Sequence, residues 1–408
     1  MTREAHMTAK RKQFNKKTQP TTTIINIFVL YLFFFYPNNM KEELIYQISI
    51  NHIPGIGGVT ARRLISYCGG VEAVFREKLH ALKKIPGVGE KLATAIRRED
   101  VFERAEQEIK FIEKHGIRPL FYLDDDYPYR LKQCEDGPMM IFVKGSADLN
   151  RQRVVAIVGT RNITPYGREQ CEAFVSELVP YEPLVVSGLA YGVDACAHKA
   201  ALKHKLPTAA VLGHGLDRVY PQVHTKLAKQ IVADGALVTD FLTGTKPDRE
   251  NFPKRNRIIA GLCDGIIVIE AAITGGALIT ANIANSYNRD VFALPGRITD
   301  PYSQGCNKLI RINKAHLMES VADLQYIMNW EPGNSTKKGV QTSLFVTLSE
   351  DEKTLATFLK EHKEAGIDQI VAGTGFNLSK TTTILLSLEF KEVVKPLPGK
   401  MFRLNARI

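Results

Sequence analysis

Residues 154–161 read Val-Val-Ala-Ile-Val-Gly-Thr-Arg, an apolar run that is followed at once by a glycine turn. Such a run without polar alternation predicts a strand buried on both faces, which is typical of a parallel sheet. Five similar runs follow, at residues 184–186, 209–212, 236–238, 266–269 and 291–294, with helical patterns near 166–179, 193–204, 223–234, 253–262, 276–287 and 304–314. This alternation predicts an α/β fold with a Rossmann-like, doubly wound sheet over residues 121–330.

Glycine-rich turns follow five of these six predicted strands. In open α/β sheets, ligands bind beyond the carboxyl ends of the strands, and backbone N–H groups of such turns bind anions. A row of turns suits several phosphates, as on a polynucleotide, although turns of this kind also serve packing alone. The turns are Gly159-Thr160-Arg161, Ser187-Gly188, Gly213-His214-Gly215, Thr274-Gly275-Gly276 and Pro295-Gly296-Arg297.

A basic segment opens the helix before the fifth predicted strand. It reads Phe252-Pro253-Lys254-Arg255-Asn256-Arg257. Three cations in four residues at a helix N-terminus are costly without a counter-charge, and phosphates supply one. We therefore predict phosphate contacts for the three cations and for Arg161, with Phe252 stacking on a base. A solvated basic face with a buried Phe252, or an internal salt bridge of Arg161, is the alternative.

The composition excludes several classes of protein. Hydrophobic residues make up 44% and charged residues 24% of the 408 residues, which disfavours a disordered or fibrous chain. The net charge of +11 favours a polyanionic partner. Six scattered cysteines without a C-x-x-C pair exclude a small disulfide scaffold and disfavour a zinc ribbon. We expect reduced thiols and a cytoplasmic protein.

The first 39 residues contain an apolar stretch, Ile24–Tyr36, after a basic one. Its thirteen residues fall short of the about 20 that cross a bilayer, and no small-x-small cleavage site follows it. We favour the interpretation that the native protein starts at Met40 and that residues 1–39 are a non-native or disordered leader. A membrane anchor and a signal peptide are the alternatives.

Two related segments, Ile53–Ile65 and Ile85–Ile96, share the pattern I-P-G-[IV]-G followed by a helix. A glycine hairpin at a helix N-terminus is a suitable phosphate site. The repeat resembles a paired, SAM-like helix-hairpin-helix module, which we assign to residues 41–120. Residues 53–98 hold nine basic and three acidic residues. Both DNA contact and a purely structural role stay open for this module.

The C-terminal residues 349–408 predict a winged helix. A capping box at Ser349–Glu352 opens one helix, residues 367–372 and 378–390 form two more, and residues 393–404 read as a β-hairpin. The segment carries nine basic and eight acidic residues, which favours a protein-interaction role over strong DNA binding. Residues 331–348 form a linker rich in polar residues.

Several other patterns fail on inspection. Gly213-x-Gly215 lacks the third glycine of a dinucleotide fingerprint, and Gly373–Thr381 lacks the Gly-Lys of a P-loop. Asp194 and His198 share a helix face, but no third residue has metal-ligand spacing, so a capping or packing role is favoured. We predict no cofactor, no metal and no catalytic constellation, and hence a protein that is not an enzyme.

The motifs together resemble the DNA-processing protein A family (DprA, also called Smf). They are VAIVGTRNITPYG, VVSGLAYGVDACAH, FPKRNRIIAGLCDGIIVIEA, GGALITA and FALPGRITDPYSQGCNKLI, within residues 41–330. The resemblance implies a homodimer that binds single-stranded DNA, protects incoming DNA and helps load RecA recombinase in natural transformation. It also implies DNA contacts by Gly159, Thr160, Arg161, Ser187, Gly188, Phe252, Lys254, Arg255, Asn256, Arg257, Thr274, Gly275 and Gly276, although the family more often has serine at the position of Thr274.

Two other functions are weighed against this one. The fold resembles that of LOG-type phosphoribohydrolases, whose P-G-G-x-G-T-x-x-E loop supplies a catalytic glutamate. Asn282 stands in its place here, which removes the carboxylate that the chemistry needs. A regulatory module for a small nucleotide is the second alternative.

The linker contains one more motif, Gln341-Thr-Ser-Leu-Phe345. It resembles the bacterial sliding-clamp-binding pentapeptide Q-L-[SD]-L-F at four of five positions. Such motifs act as short disordered segments that become ordered on binding. A sliding clamp is therefore one predicted partner, and docking of Leu344 and Phe345 onto this chain's own domains is the alternative.

Overall fold

The structure is a computed structural model that describes residues 38–332, 348–391, 393–397 and 401–404. The chain divides into two compact units, Met1–Gly333 and Asn334–Ile408. Within the described ranges, no helix is both long and apolar enough to span a bilayer. The proposed leader up to residue 37 and the motif Gln341–Phe345 lie outside the described residues.

The described part of the first unit starts with six helices, whose core around Ile48, Leu64 and Leu82 also includes residues 121, 139, 140, 142 and 242 of the sheet domain. The two I-P-G repeats form the turns before the second and the fifth helix. Gly55 and Gly87 occupy the same place in these turns with φ of +83° and +82°, a left-handed conformation that favours glycine. The helices are α1 (Asn38–His52), α2 (Gly58–Cys68), α3 (Val71–Arg76), α4 (Leu79–Leu82), α5 (Glu90–Ala95) and α6 (Asp100–His115).

A nine-stranded sheet follows, in the order β1-β2-β6-β5-β4-β3-β7-β8-β9. From β6 to β9 the neighbouring strands are parallel, whereas β1 and β2 are antiparallel additions at one edge. The six strands predicted from the sequence are β3 to β8. The strands are β1 (Arg118–Phe121), β2 (Met140–Gly145), β3 (Val154–Val158), β4 (Leu184–Ser187), β5 (Thr208–Val211), β6 (Ala236–Thr239), β7 (Gly265–Val268), β8 (Asp290–Ala293) and β9 (His316–Leu317).

Helices cover both faces of the sheet, which explains the unbroken apolar runs. Val155 and Ile157 of β3 belong to a cluster on one face, and Ala156 belongs to a cluster on the other, so successive side chains enter different cores. The helices are α7 (Tyr129–Lys132), α8 (Pro165–Glu177), α9 (Val193–Lys203), α10 (Thr225–Asp234), α11 (Asn251–Leu262), α12 (Gly276–Ser286), α13 (Gln304–Arg311) and α14 (Val321–Met328).

The second unit is a small α/β domain. Its helices α15 (Glu350–His362), α16 (Ile367–Thr374) and α17 (Leu378–Phe390) pack on a three-stranded sheet of β10 (Glu364–Gly366), β11 (Val394–Leu397) and β12 (Met401–Leu404). The predicted capping box is present, because Ser349 and Glu352 bond each other's backbone N–H. The P-loop-like segment contains the turn between α16 and α17. Its Asn377 caps the N-terminus of α17, because the Asn377 side chain accepts from the backbone N–H of Lys380.

Candidate nucleic-acid interface

A cleft of about 570 Å³ opens at the carboxyl ends of β3 and β7. The strand order reverses at β3, because the chain adds β4 to β6 on one side and β7 to β9 on the other. Such a switch point is where open α/β sheets bind ligands. The cleft brings together eight of the predicted residues, Gly159, Thr160, Arg161, Phe252, Arg255, Asn256, Gly275 and Gly276. Gly188 lines a smaller pocket beside it, together with Arg161 and Phe252.

The turn after β3 is held firmly. The backbone N–H of Thr160 donates to the carbonyl of Glu270 over 2.7 Å, and the Thr160 carbonyl accepts from Val193 over 3.1 Å. Arg161 follows as an exposed residue, and its guanidinium carbon lies 5.6 Å from the centroid of the Phe252 ring. A rigid turn therefore presents a cation beside an aromatic ring at the mouth of the cleft.

The cations of the basic segment have three different environments. Lys254 is exposed, and no ion pair is found for it among the described side chains. Arg257 is one-quarter exposed and pairs with Asp240 over 2.8 Å. Arg255 is only 4% exposed. Of the three cations, Lys254 is thus the one that faces solvent without a protein partner.

The Arg255 guanidinium supports the floor of the cleft. It donates over 2.7 Å to the carbonyl of Gly188, the residue after β4, and also to the carbonyl of Val211, the last residue of the adjacent strand β5. Burial lowers the pKa of Arg255 to about 10, and the nearby Asp194 opposes that shift, so the side chain stays charged at neutral pH. A Cβ at position 188 would overlap this guanidinium, which explains the glycine there.

Four predicted residues, Lys254, Arg257, Ser187 and Thr274, are not among those that line the cleft, and the last two differ in burial. Ser187 is fully buried, and its hydroxyl donates to the carbonyl of Ile157 over 2.7 Å. Thr274 is an exposed residue of the loop before α12 and is not among the residues that line the cleft. DNA contact by these two residues stays a prediction, as it does for the other predicted site residues.

Three residues of the cleft region were not predicted from the sequence. The buried carboxylate of Glu270 accepts from the backbone N–H and the hydroxyl of Thr164, next to the N-terminus of α8. Arg249 and Tyr220 line the cleft, and the Tyr220 ring centroid lies 5.9 Å from that of Phe252. Arg249 could have been found as a further cation just before the basic segment, whereas no sequence pattern marks Tyr220.

Asp194 and His198 bond different partners rather than a common ligand. The Asp194 carboxylate accepts from the backbone N–H of Ala190 over 3.3 Å, and the His198 Nδ1 lies 2.7 Å from the Thr208 hydroxyl. Burial raises the pKa of Asp194 and lowers that of His198 to about 3. These contacts agree with the capping and packing roles inferred from the sequence.

Three arginines of the helical module donate hydrogen bonds to backbone carbonyls of the protein. The Arg62 guanidinium donates to the carbonyls of Cys134 and Glu135 over 3.1 Å and of Gly137 over 3.3 Å, which fastens α2 to the sheet domain. Arg63 donates to the carbonyl of Pro86, over 2.7 Å, in the second hairpin. Arg97 donates to the carbonyl of Glu77. The module's positive charge is therefore less available than the sequence count indicates.

Comparison with known proteins agrees with this architecture. The sequence model of the DNA recombination-mediator protein A family matches residues 118–329, that of the SAM-like helix-hairpin-helix tandem matches 48–99, and that of the DprA winged helix domain matches 346–400. The predicted fold class, with a Rossmann-like domain between a helix-hairpin-helix module and a winged helix, is confirmed.

Relatives extend over nearly the whole chain. Protein Smf of Synechocystis sp. is 32% identical over 399 residues, which cover 89% of this chain and 99% of that protein. DNA processing protein DprA of Streptococcus pneumoniae is 44% identical over 189 residues, or 46% of this chain and 67% of that protein. The X-ray structure of DNA processing protein A from Streptococcus pneumoniae matches with a TM-score of 0.58 and 33% identity, covering 71% of this chain and 98% of that one. The chain belongs to the DNA recombination-mediator protein A family, the DprA/Smf proteins.

Proposed function

We propose that this protein binds single-stranded DNA in the cleft at the carboxyl ends of β3 and β7. One observation carries the proposal: Arg161 lines the cleft as an exposed cation without an ion pair among the described residues, and its guanidinium carbon lies 5.6 Å from the centroid of the Phe252 ring. The exposed Lys254 follows Phe252 two residues later on α11. A free cation beside an aromatic ring at the mouth of a cleft matches a strand whose phosphate is held and whose base stacks. Membership of a family named for DNA processing supports the same partner.

The aromatic rings favour a single strand over a duplex. Phe252 and Tyr220 lie at the cleft with their ring centroids 5.9 Å apart, and a base can stack on them only if it is free of its own helical stack. Phosphate contacts and stacking carry little sequence information. Binding should therefore tolerate any sequence and weaken steeply as salt rises.

The decisive measurement compares single-stranded and duplex DNA of equal length by fluorescence anisotropy across a salt series. We expect tighter binding of the single strand, with a linear fall of log K against log salt. A duplex that binds as tightly as the single strand would contradict the stacking part of the proposal. Affinity that does not change with salt would contradict the phosphate contacts.

The finer part of the proposal follows the family resemblance. We infer a cytoplasmic homodimer that protects incoming DNA and helps load RecA during natural transformation. Sedimentation velocity tests the dimer, and RecA-dependent strand exchange on DNA coated with single-strand-binding protein tests the loading. A monomer at all concentrations, or no acceleration of strand exchange, would contradict the respective statement.

The enzymatic alternative gains no support at the position that decides it. Asn282 stands where phosphoribohydrolases carry their glutamate, and its amide oxygen accepts from the Lys314 ammonium over 2.8 Å. We therefore propose a binding protein rather than an enzyme. Incubation with nucleoside monophosphates should release no base, and measurable release by the purified protein would reverse this conclusion.

A further inference from the structure

A second basic surface lies outside the cleft, on the adjacent helices α9 and α10. Lys199 and Lys203 are exposed one turn apart on α9, and Lys226 and Lys229 are exposed on α10. We call these four residues the lysine track. Within the described part of the chain, none of the four has an ion pair. The carboxylates on the two helices are the buried Asp194 and an exposed Asp234 at the far end of α10.

Both helices begin at the cleft and lead away from it. Asp194, the second residue of α9, lines the cleft. His224, which directly precedes α10, bonds the carbonyl of Leu189 over 2.9 Å, and its ring centroid lies 5.3 Å from that of Tyr191. Tyr191 lines the pocket beside the cleft, so the first turn of α10 adjoins this wall.

The lysines lie on the exposed sides of two neighbouring helices. Leu202 of α9 packs against the cluster that holds Leu227 and Ile231 of α10, so the two helices lie side by side. An α-helix rises about 1.5 Å per residue. Along α10, Lys226 and Lys229 therefore lie about 1.5 Å and about 6 Å from the start of the helix, and along α9, Lys199 and Lys203 lie about 9 Å and about 15 Å from its start. The track therefore extends about 15 Å beyond the cleft wall.

Repulsion among the four lysines destabilises the folded protein unless an anion binds over them. Like charges three or four residues apart on a helix destabilise it by a few tenths of a kcal/mol per pair, and the track contains two such pairs. The neighbouring helix α8 carries the exposed Glu169 and Glu172, and Glu172 and Lys199 both act on the Cys196 thiol. On α9 and α10 themselves, the exposed charges before Asp234 are all positive, next to a cleft that holds the free cation Arg161. A polyanion that already occupies the cleft would relieve the repulsion and gain contacts.

We propose that a single strand bound in the cleft continues over the lysine track. At ~3.4 Å per nucleotide of a stacked strand, the track would hold about four further nucleotides. The inference rests on the proposed single-stranded DNA binding and adds the path of the strand outside the cleft. It makes binding energy depend on strand length, since a short oligonucleotide fills the cleft and leaves the track empty.

The test uses the full chain with four substitutions, Lys199→Gln, Lys203→Gln, Lys226→Gln and Lys229→Gln. The slope of log K against log salt is measured on oligothymidines of about four and about twenty nucleotides. At ~0.7 per phosphate contact of a single strand, we expect the slope to become shallower by about 3 on the long strand only. The control Lys110→Gln/Lys114→Gln, a second exposed lysine pair four residues apart, on α6, is matched to Lys199→Gln/Lys203→Gln alone. That track pair should make the long-strand slope shallower by about 1.4, and the control should leave both slopes unchanged.

Each of the other outcomes would contradict the proposal that DNA contacts the lysine track. Equal slopes of variant and wild type on the long strand would show that the lysines do not contact DNA, and would leave an acidic protein as the partner to seek. An equal change on both strand lengths would show a general field effect rather than contact. A wild-type protein that binds neither strand would overturn the proposed function itself, and the track with it.

Discussion

Two regions of this chain are rich in cations but use them in opposite ways. In the helix-hairpin-helix module, Arg62, Arg63 and Arg97 donate to backbone carbonyls of the protein. Arg161 at the cleft and Lys254 on the helix α11 face solvent with no ion pair among the described residues. A charge count cannot separate the two cases, because it does not see which carbonyls and carboxylates the fold places nearby. The availability of a cation, not its presence, indicates a nucleic-acid site.

The same contrast exists within the basic segment itself. Lys254 is exposed and Arg255 is buried against the ends of two strands. The geometry thus assigns neighbouring cations to different tasks, one toward the ligand and one toward the protein. Four variants test the contrast, and they follow in order of decreasing effect.

Removal of the buried cation should have the largest effect. Arg255→Met leaves the carbonyls of Gly188 and Val211 without this donor in a buried site, so we expect a loss of about 4 kcal/mol in the free energy of unfolding. The exposed neighbour provides the control, since Lys254→Met should change that free energy by less than about 0.5 kcal/mol. Urea denaturation measures both. A stable Arg255→Met protein whose salt slope drops by ~0.7 would instead indicate direct phosphate contact by Arg255.

Removal of the two free cations should affect binding and not folding. For Arg161→Ala/Lys254→Ala we expect a roughly 100-fold loss of affinity for single-stranded DNA, about 2.7 kcal/mol, and a salt slope shallower by about 1.4. Anisotropy titrations across a salt series measure both quantities, and an unchanged melting temperature serves as the folding control. Wild-type affinity in this folded double variant would remove the cleft from consideration as the DNA site.

How far the sequence predicts this molecule depends on the kind of interaction. The parallel strands were predictable because burial on both faces requires an unbroken apolar run, as at residues 154–158. The antiparallel strands β1 and β2 were missed. Pro119 lies within β1, whereas β2 contains an apolar run, residues 140–143, that was not assigned to a strand. Strand β9 has only two residues, both exposed, and no pattern can mark it.

The position of the site was predictable from the sequence, but the contacts that each of its side chains makes were not. The glycine turns fixed its position at the strand ends, which the cleft lining matches. The burial of Arg255 was nevertheless encoded, because Arg255, Ile258, Ile259 and Leu262 recur at helical spacing on one buried face of α11. By contrast, the approach of Glu270 to Thr164 joins residues 106 positions apart, and such a contact needs the three-dimensional fold.

The pinned arginine of the helical module should affect stability alone. Arg62→Ala removes three hydrogen bonds to carbonyls of residues 134–137, and we expect a loss of about 2 kcal/mol in the free energy of unfolding. The salt slope for single-stranded DNA should not change. Urea denaturation and the anisotropy series together check this separation, and a folded Arg62→Ala protein with a shallower slope would place DNA on the module.

The smallest effect on DNA binding is expected for the exposed lysines of the helix-hairpin-helix module. Lys84 and Lys91 flank the second hairpin as exposed cations, and the ion pairs of the described residues include neither. If the module contacts DNA at all, these two have the freedom that Arg63 and Arg97 lack. Their hairpin leads into α5, a helix of only six residues, and Glu90 at its start adds a negative charge where a phosphate would bind.

We therefore expect Lys84→Ala/Lys91→Ala to change the affinity for single-stranded DNA by less than about twofold and to leave the salt slope within ~0.3 of the wild type. The measurement is the same anisotropy series, repeated with duplex DNA, so that contact of the module with either form of DNA would be detected. A slope that falls by about 1.4 on either DNA would mean that the module holds two phosphates. The module would then contain both arginines that bond the protein's own carbonyls and lysines that bind DNA. The cleft would be one of two DNA sites.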